Sequence, residues 1–235
     1  MNLNGATALI TGANRGIGRH LAAQLVERGA KVYATARRPE SIDLEGVQVL
    51  ALDVTDPEAV ANAARVAADV NLLVNNAGIG GGPLLGDLDG VRAALDVNFW
   101  GSLSVSRAFT PVLAANGGGA IVNIASSASW FVFPGNGAYG VSKSALWSMS
   151  NALRQELTGQ GTRVTSVHLG AADTDMMKGY DVPKTDPADV ARITLDGVES
   201  DAFEVVLDEF TAMVKASLAE DPREFDTRFQ RFLSA

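Results

Sequence analysis

Short apolar runs alternate with longer amphipathic segments along most of the chain, and this alternation constrains the fold more than any other feature. Seven runs are apolar or β-branched and long enough for a strand buried on both faces: residues 6–10, 31–35, 47–52, 71–74, 120–124, 163–167 and 203–207. Helical patterns occupy residues 16–28, 57–68, 89–114, 138–158 and 187–199. Asp56-Pro57 and Asp186-Pro187 have the residue types of an N-cap followed by the first helical position. The order predicts an α/β fold with a doubly wound, seven-stranded parallel sheet and helices on both faces.

Composition narrows the classes of function. The 235 residues, 47% of them apolar, fit one domain with a sizeable core. The chain has no cysteine, which excludes disulfides and thiolate catalysis, and His20 and His168 are too far apart to suggest a metal motif, so no metal is expected. A net charge of −8 without a basic cluster predicts no nucleic-acid partner and no anionic membrane partner. No charged leader and no apolar run near about 18 residues is present, so we expect a cytoplasmic, soluble protein.

A glycine-rich segment follows the first predicted strand directly. Residues 11–18 read Thr-Gly-Ala-Asn-Arg-Gly-Ile-Gly, and an amphipathic helix begins within them. Backbone N–H groups at such a helix N-terminus face an anion, for which a pyrophosphate is the natural candidate. Glycine permits positive φ and close backbone approach. Taken alone, the segment also fits a tight strand-to-helix connection that binds nothing.

Further motifs follow in a fixed order. Residues 75–78 read Asn-Asn-Ala-Gly after the fourth strand, Asn98 lies in the next long helix, Ser126 follows the fifth strand, and Tyr139 and Lys143 come thirteen and seventeen residues after that serine. Taken singly, the serine fits a turn hydroxyl, the asparagine a structural amide and the tyrosine a core residue. Together with the glycine-rich segment, these motifs resemble the short-chain dehydrogenase/reductase family from about residue 6 to residue 207.

The resemblance implies a single-domain Rossmann fold. Residues 1–115 would mainly bind the dinucleotide, residues 116–208 would hold the catalytic and substrate groups, and residues 209–235 would form a C-terminal helical tail. It also implies a catalytic tetrad of Asn98, Ser126, Tyr139 and Lys143. The implied cofactor-binding residues are Gly12, Asn14, Arg15, Gly16, Ile17, Gly18, Arg37, Asp53, Val54, Asn76, Ala77, Gly78, Tyr139, Lys143 and Thr174.

The charge at the end of the second strand predicts which dinucleotide is used. A cofactor with an unmodified ribose calls for an acidic residue there, but residues 35–38 read Thr-Ala-Arg-Arg. Arg15 and Arg37 resemble the basic residues with which relatives bind the extra phosphate of NADP(H), although loop arginines are more often simply solvated. Asp53 and Val54 resemble the adenine contacts of the family, and Asp53 alternatively begins a turn before Thr55. We therefore expect NADP(H) as the cofactor.

The tetrad implies acid–base chemistry at a carbonyl or an alcohol. A phenol has a pKa of about 10, and a nearby ammonium stabilises the phenolate. Lys143 lies four residues after Tyr139, on the same helix face. In the family the lysine also binds the nicotinamide ribose, Ser126 would bind the substrate oxygen, and Asn98 would hold a water that links the lysine to solvent.

The expected substrate is a small hydrophobic or aromatic carbonyl or alcohol compound. The predicted pocket residues are mostly large and apolar: Trp130, Phe133, Asn136, Met176 and Met177, with Phe131 and Tyr180 beside them. Trp130 and Phe131 fit core or interface packing nearly as well. Leu169 stands where the family usually has proline, which casts doubt on a contact between Thr174 and the nicotinamide. His168 is expected to be a satisfied imidazole at a strand end.

The sequence also predicts how the C-terminal tail packs and how the chains associate. Phe225, Phe229 and Phe232 follow helical spacing, so the tail is expected to pack on its own protomer or on a neighbouring one. Relatives associate through the two long helices, which implies a homodimer or homotetramer. The predicted function is an NADP(H)-dependent oxidoreductase that interconverts a carbonyl and an alcohol. A regulatory sensor that binds NADP, or an epimerase or dehydratase of the same fold, is the alternative.

Overall fold

A parallel sheet of seven strands organises the computed structural model, which describes the backbone of residues 1–233 and their side chains except those of residues 226, 227 and 230–233. The strands are β1 (Thr7–Ile10), β2 (Lys31–Ala36), β3 (Val47–Ala51), β4 (Leu72–Asn75), β5 (Gly119–Ile124), β6 (Thr162–His168) and β7 (Glu204–Val206). Their order is β3-β2-β1-β4-β5-β6-β7, and every neighbouring pair is parallel. The predicted seven-stranded fold is confirmed. The order reverses between β1 and β4, where such sheets open a crevice at their carboxyl edge.

Helices cover both faces of the sheet. They are α1 (Gly16–Glu27), α2 (Pro57–Val66), α3 (Leu88–Leu95), α4 (Ser102–Ala115), α5 (Gly137–Glu156), α6 (Pro187–Glu199), α7 (Glu209–Ala216) and α8 (Pro222–Leu233). Asp56 and Asp186 accept from backbone N–H groups of the first turns of α2 and α6, as predicted for N-caps. Within residues 1–233, no helix has both the length and the apolar character needed to cross a membrane.

Successive residues of a strand contribute side chains to two separate hydrophobic cores, one on each face of the sheet. In β1, Ile10 joins the cluster that holds α1 and α6 against one face, while Leu9 joins the cluster of α2, α4 and α5 on the other. Val122 and Ile121 of β5 divide in the same way. Side chains alternate across a strand, so nearly continuous apolar runs are what a sheet buried on both faces requires.

The helix predicted over residues 89–114 is present, but it is not α-helical throughout. A π-helical turn, Asp96–Gly101, separates α3 from α4. Gly101 lies so close to the segment between β3 and α2 that a Cβ there would come within 2.6 Å of Val54 Cγ2. The widened turn holds Asn98 fully buried, and such turns are often found at functional sites. The extra residue shifts the later apolar positions by one place, and the sequence pattern alone does not distinguish this shift from a continuous α-helix.

The C-terminal helices pack on their own chain. Phe225 and Phe229 of α8 are buried in an aromatic cluster with Phe131 and Phe133, and the Phe131 and Phe229 ring centroids are 4.3 Å apart. Phe210 and Val214 of α7 join the same cluster. The predicted side-chain packing of Phe232 lies outside the described residues. The tail therefore covers the segment between Ser126 and Tyr139 within a single protomer.

Candidate active site

The glycine-rich turn between β1 and α1 lies at the switch point and is shaped by close backbone approach. Gly12 and Gly16 adopt positive φ of 68° and 53°. A Cβ on Gly18 would come within 2.3 Å of the Gly12 carbonyl oxygen, and a Cβ on Gly12 within 3.1 Å of the Ala77 Cα. Glycine is required at these positions because any side chain would displace the turn.

The start of α1 is suited to hold a phosphate. Arg15 is the N-cap but makes no side-chain capping bond, and the first turn contains no acidic residue. The first N–H groups of a helix have no partner within the helix, and they carry the positive end of its dipole. The uncapped N–H groups and the missing side chains of the turn together fit the pyrophosphate of a dinucleotide. Asn14 and Ile17 are partly buried within this segment.

Thr11 and Asn76 connect the glycine-rich turn to the segment after β4. The Thr11 hydroxyl oxygen accepts from the backbone N–H groups of Asn76 and Ala77 at 2.9 and 3.0 Å. The Asn76 amide donates in return to the carbonyl oxygens of Thr11 and Gly12 at 2.9 and 3.0 Å. The sequence motif includes Thr11, but its side-chain role as the link between two strand ends was not predicted. Its position directly after a strand, before the first glycine, is the available signal.

The predicted basic residues lie at the end of the crevice that is expected to hold adenosine. Arg37 follows β2 directly and is exposed. Arg15 is also exposed and pairs with Asp175 at 3.0 Å. One carboxylate oxygen of Asp53 accepts from the N–H and the hydroxyl of Thr55, so the predicted turn is present. The adenine contact predicted for Asp53 and Val54 remains a prediction.

Three of the predicted catalytic groups meet where β5 ends and α5 begins. The Ser126 side chain lies beside the Tyr139 phenol. Lys143 Nζ lies 5.6 Å from the centroid of the Tyr139 ring and donates to the Ile124 carbonyl at 2.7 Å. A Cβ on Gly78 would come within 3.7 Å of Lys143 Nζ and 3.2 Å of Asn98 Oδ1, so this glycine leaves room between the two.

Hydrogen bonds of the Asn98 side chain connect the segments around these three residues. Its Oδ1 accepts from the Ile79 N–H at 2.8 Å, and its Nδ2 donates to the Ile79 carbonyl and to Ser142 Oγ, both at 2.9 Å. Ser142 lies on α5 and donates to the Tyr139 carbonyl at 2.7 Å. The Asn98 side chain therefore joins the π turn, the segment after β4 and α5. Its predicted water-holding role stays a prediction.

Burial shifts the pKa values of Tyr139 and Lys143 in opposite directions. Burial raises the pKa of Tyr139 above its ordinary value, and the Ser126 side chain counteracts part of that rise. Burial lowers the pKa of Lys143 to about 8. At neutral pH the phenol thus holds a proton, and an ammonium lies close enough to stabilise the phenolate that forms when the proton leaves.

The turn after β6 is fixed without the usual proline. Leu169 is buried in the core, and the Gly170 N–H donates to Asp208 Oδ2 at 2.7 Å. The same aspartate caps α7 through its other oxygen. Thr174 lies over the glycine-rich turn, since its Cγ2 would be 3.1 Å from a Cβ on Gly16. The polar bond to Asp208 was not predicted, because the aspartate is 38 residues away in sequence.

The predicted pocket residues divide into two groups. Trp130 stacks on His168 with 3.9 Å between ring centroids, and Phe133 packs in the aromatic cluster under α8. Met176 is exposed, whereas Asn136 and Met177 are partly buried. The predicted satisfied imidazole is confirmed, because both ring nitrogens of His168 have partners. The roles of the five pocket residues toward a substrate remain predictions.

Comparisons with known proteins agree with this arrangement. A sequence model of the family described as short chain dehydrogenase matches residues 6–184. A 1-deoxy-11-beta-hydroxypentalenate dehydrogenase from Streptomyces exfoliatus is 34% identical over 86% of this chain and 83% of its own length. An NADPH-dependent 1-acyldihydroxyacetone phosphate reductase from Schizosaccharomyces pombe is 38% identical over 71% of this chain and 60% of its own. The structure of a short chain dehydrogenase from Burkholderia cenocepacia in complex with NADP superposes with a TM-score of 0.92 at 36% identity, covering 97% of this chain and 98% of that one.

The buried ammonium generates a prediction about stability. We expect Lys143→Met to raise the free energy of unfolding at pH 7 by about 1–3 kcal/mol, because a pKa lowered to about 8 means that the fold disfavours the charge. In the wild type, stability rises with pH between about 8 and the unfolded-state pKa, so the advantage of Met should shrink over that range. Denaturant titrations at pH 7 and pH 10 measure both effects.

Lys178→Met is the matched control, because Lys178 is exposed in the loop after β6. It should leave the free energy of unfolding within about 0.5 kcal/mol of the wild-type value. A Lys143→Met variant that is less stable than the wild type at pH 7 would contradict the prediction.

Proposed function

The chain belongs to the short-chain dehydrogenase family of oxidoreductases, and we propose that it interconverts a ketone or aldehyde and the corresponding alcohol with NADP(H). The observation that carries the proposal is the meeting of Ser126, Tyr139 and the buried Lys143 where β5 ends and α5 begins, with the Lys143 Nζ 5.6 Å from the centroid of the Tyr139 ring. The structure of the relative in complex with NADP supports the choice of cofactor, as do Arg15 and Arg37.

Different residues of the crevice would bind different parts of the cofactor. The glycine-rich turn and the start of α1 would hold the pyrophosphate, Arg15 and Arg37 the extra phosphate, and Asp53 with Val54 the adenine. Asn76, Ala77 and Gly78 border the same crevice after β4. Thr174 and Lys143 would hold the nicotinamide end. When bound, the cofactor supplies or accepts the hydride.

The proton is handled by the side chains of the chain itself. In the reducing direction, Tyr139 donates its phenolic proton to the substrate oxygen, and in the oxidising direction its phenolate accepts that proton. Ser126 Oγ holds the substrate oxygen beside the phenol. The Lys143 ammonium stabilises the Tyr139 phenolate from the time the proton leaves until the next proton is accepted. Asn98, through the water predicted for it, would connect the lysine to solvent.

We place a hydrophobic or aromatic part of the substrate against Met176, Met177, Trp130, Phe133 and Asn136. Met176 is 45% exposed in the loop after β6, and Phe133 belongs to a segment that runs from the Ser126 side of the crevice to the start of α5. Apolar walls with a few polar groups that hold one oxygen favour a substrate of this kind.

Tyr139→Phe tests the reaction. Purified wild-type protein should oxidise NADPH with at least one member of a panel of aromatic and aliphatic ketones, aldehydes and quinones, followed by absorbance. The variant should lose at least about 100-fold in kcat, because its ring can no longer donate a proton. Its affinity for NADPH should stay within about twofold.

Tyr33→Phe is the matched control, because that hydroxyl bonds Asp69 at the far end of β2. It should leave kcat unchanged. NADPH binding without reduction of any panel member by the wild type would favour the sensor alternative, and a Tyr139→Phe variant with wild-type kcat would refute the acid–base assignment.

Arg37→Ala tests the cofactor preference. Loss of one charge-assisted contact to the extra phosphate should raise KM for NADPH about 10- to 100-fold and leave KM for NADH within about twofold. Arg19→Ala is the control, since that guanidinium donates to the Asp43 carbonyl instead. An equal loss with both cofactors would show that Arg37 does not read the phosphate.

We also propose that the protein acts as a cytoplasmic homodimer or homotetramer. Trp100 in the π turn is 54% exposed, and Val141 on α5 is 40% exposed, so both long helical segments present large apolar side chains. Light scattering during size-exclusion chromatography should give two or four times the chain mass. A monomer at micromolar concentration would contradict this proposal.

A further inference from the structure

His168 lies directly behind Ser126 and takes no part in the proton transfer proposed above. It ends β6, is completely buried, and its ring nitrogens contact the Ser126 carbonyl oxygen and Ser166 Oγ, both at 3.1 Å. The proposed reaction assigns no role to this buried imidazole, although it contacts the proposed catalytic serine.

The partners determine which ring nitrogen carries the proton. The Ser126 carbonyl oxygen can only accept, so Nδ1 donates to it, and Nε2 then accepts from the Ser166 hydroxyl. Burial lowers the pKa of His168 to about 4, against a smaller effect of the Ser126 bond in the other direction. The ring is therefore neutral at pH 7, with its proton on Nδ1.

Packing fixes the orientation of the ring as well. Trp130 stacks on it at 3.9 Å with an interplanar angle of 12°, and Trp147 meets Trp130 edge-on at 5.9 Å. The Trp147 Nε1 donates to Glu204 of β7 at 2.8 Å, and Lys215 of α7 pairs with the same glutamate. Rotation of the imidazole away from Ser126 would require Trp130 to move.

The bonds made by Ser126 show what the imidazole controls. Its carbonyl oxygen accepts from His168 and from the Ser129 N–H at 3.0 Å, and its Oγ accepts from the Ala128 N–H at 3.1 Å. The next N–H, that of Ser127, donates to the Leu169 carbonyl at 2.8 Å. The peptide on the carboxyl side of Ser126 is thus held at both its oxygen and its nitrogen. Oγ is held by the Ala128 N–H and by its own bond to the Leu169 carbonyl at 3.4 Å.

We propose that His168 is a positioning residue for the reaction: its Nδ1–H holds the Ser126 carbonyl so that Ser126 Oγ points at Tyr139 and the substrate oxygen. This proposal rests on the proposed function of Ser126. Hydroxyl placement matters because an error of about 1 Å in a positioned group can lower the rate up to about 100-fold.

Two substitutions separate the hydrogen bond from the packing. His168→Phe keeps a flat ring against Trp130 and removes the donor, whereas His168→Asn removes the ring and keeps a donor where Nδ1 was. We expect His168→Phe to lower kcat about tenfold with KM for NADPH unchanged, and His168→Asn to keep kcat within about threefold. If the Phe variant does not fold, His168→Ala against His168→Asn gives the same comparison. His20→Gln, which changes the other imidazole of the chain, is the control.

A double-mutant cycle with Ser126→Ala decides whether His168 acts through the serine. We expect His168→Phe to have no further effect on kcat in the Ser126→Ala background, because the hydroxyl that it positions is gone. Effects that multiply, or a wild-type kcat in His168→Phe, overturn the proposal and leave the proposed function standing. A wild-type kcat in Ser126→Ala overturns the role of the serine and this proposal with it.

A measurement that needs no substrate completes the test. The ¹⁵N signals of the His168 imidazole, assigned with His20→Gln, should show the neutral Nδ1–H form from about pH 5.5 to 9. An Nε2–H form or a charged ring at pH 7 overturns the proposal, since neither agrees with the bonding described for the Ser126 carbonyl.

Discussion

The exchange of hydrogen bonds between Thr11 and Asn76 is the contact on which the site depends. The two residues follow β1 and β4, the central strands from which the chain winds in opposite directions. Four bonds join residues 11 and 12 to residues 76 and 77. These bonds require Gly12 to lie against Ala77 without a side chain. Asn98 then holds Ile79, two residues beyond Ala77, and is itself bonded to Ser142 of α5. The proposed cofactor-binding and catalytic ends of the crevice are thus one hydrogen-bonded unit.

Because this hydrogen-bonded unit is rigid, Tyr139 and Lys143 stay buried. A phenol and an ammonium both lose solvation in the crevice, and the nearby groups compensate only in part, through Ser126 and the Ile124 carbonyl. A looser scaffold would relax so that water reaches the ammonium, and the pKa of Lys143 would return toward that of free lysine. The shifted value near 8 therefore depends on the closed packing of β5, α5 and the π turn.

The sequence predicts the elements well and the long-range contacts less well, for physical reasons. Strands buried on both faces are continuous apolar runs, and the Tyr139 and Lys143 spacing is a property of one helix, so both are visible locally. The π turn at Asn98 shifts the apolar pattern by one position, which the sequence alone does not distinguish from a continuous α-helix. Asp208, which secures the turn where Leu169 replaces proline, is distant in the chain. Neither the stack of Trp130 on His168 nor the cluster of Phe133 with α8 has any signature in local periodicity.

The aromatic cluster connects the tail to the catalytic geometry. Phe131 and Phe133 lie between Ser126 and Tyr139 in sequence, and their rings contact Phe225 and Phe229 of α8. Energy from burying these rings stabilises the segment that sets the distance between the serine and the tyrosine. Side chains already used for this packing have less surface to offer a ligand, whereas the loop after β6 keeps Met176 and Tyr180 exposed above the crevice. The base of that loop is held by the Ala172–Thr185 bridge and the Gly170–Asp208 bond, and Arg15 pairs with Asp175 within it. Variation at its exposed positions therefore leaves the packing around Ser126 and Tyr139 undisturbed.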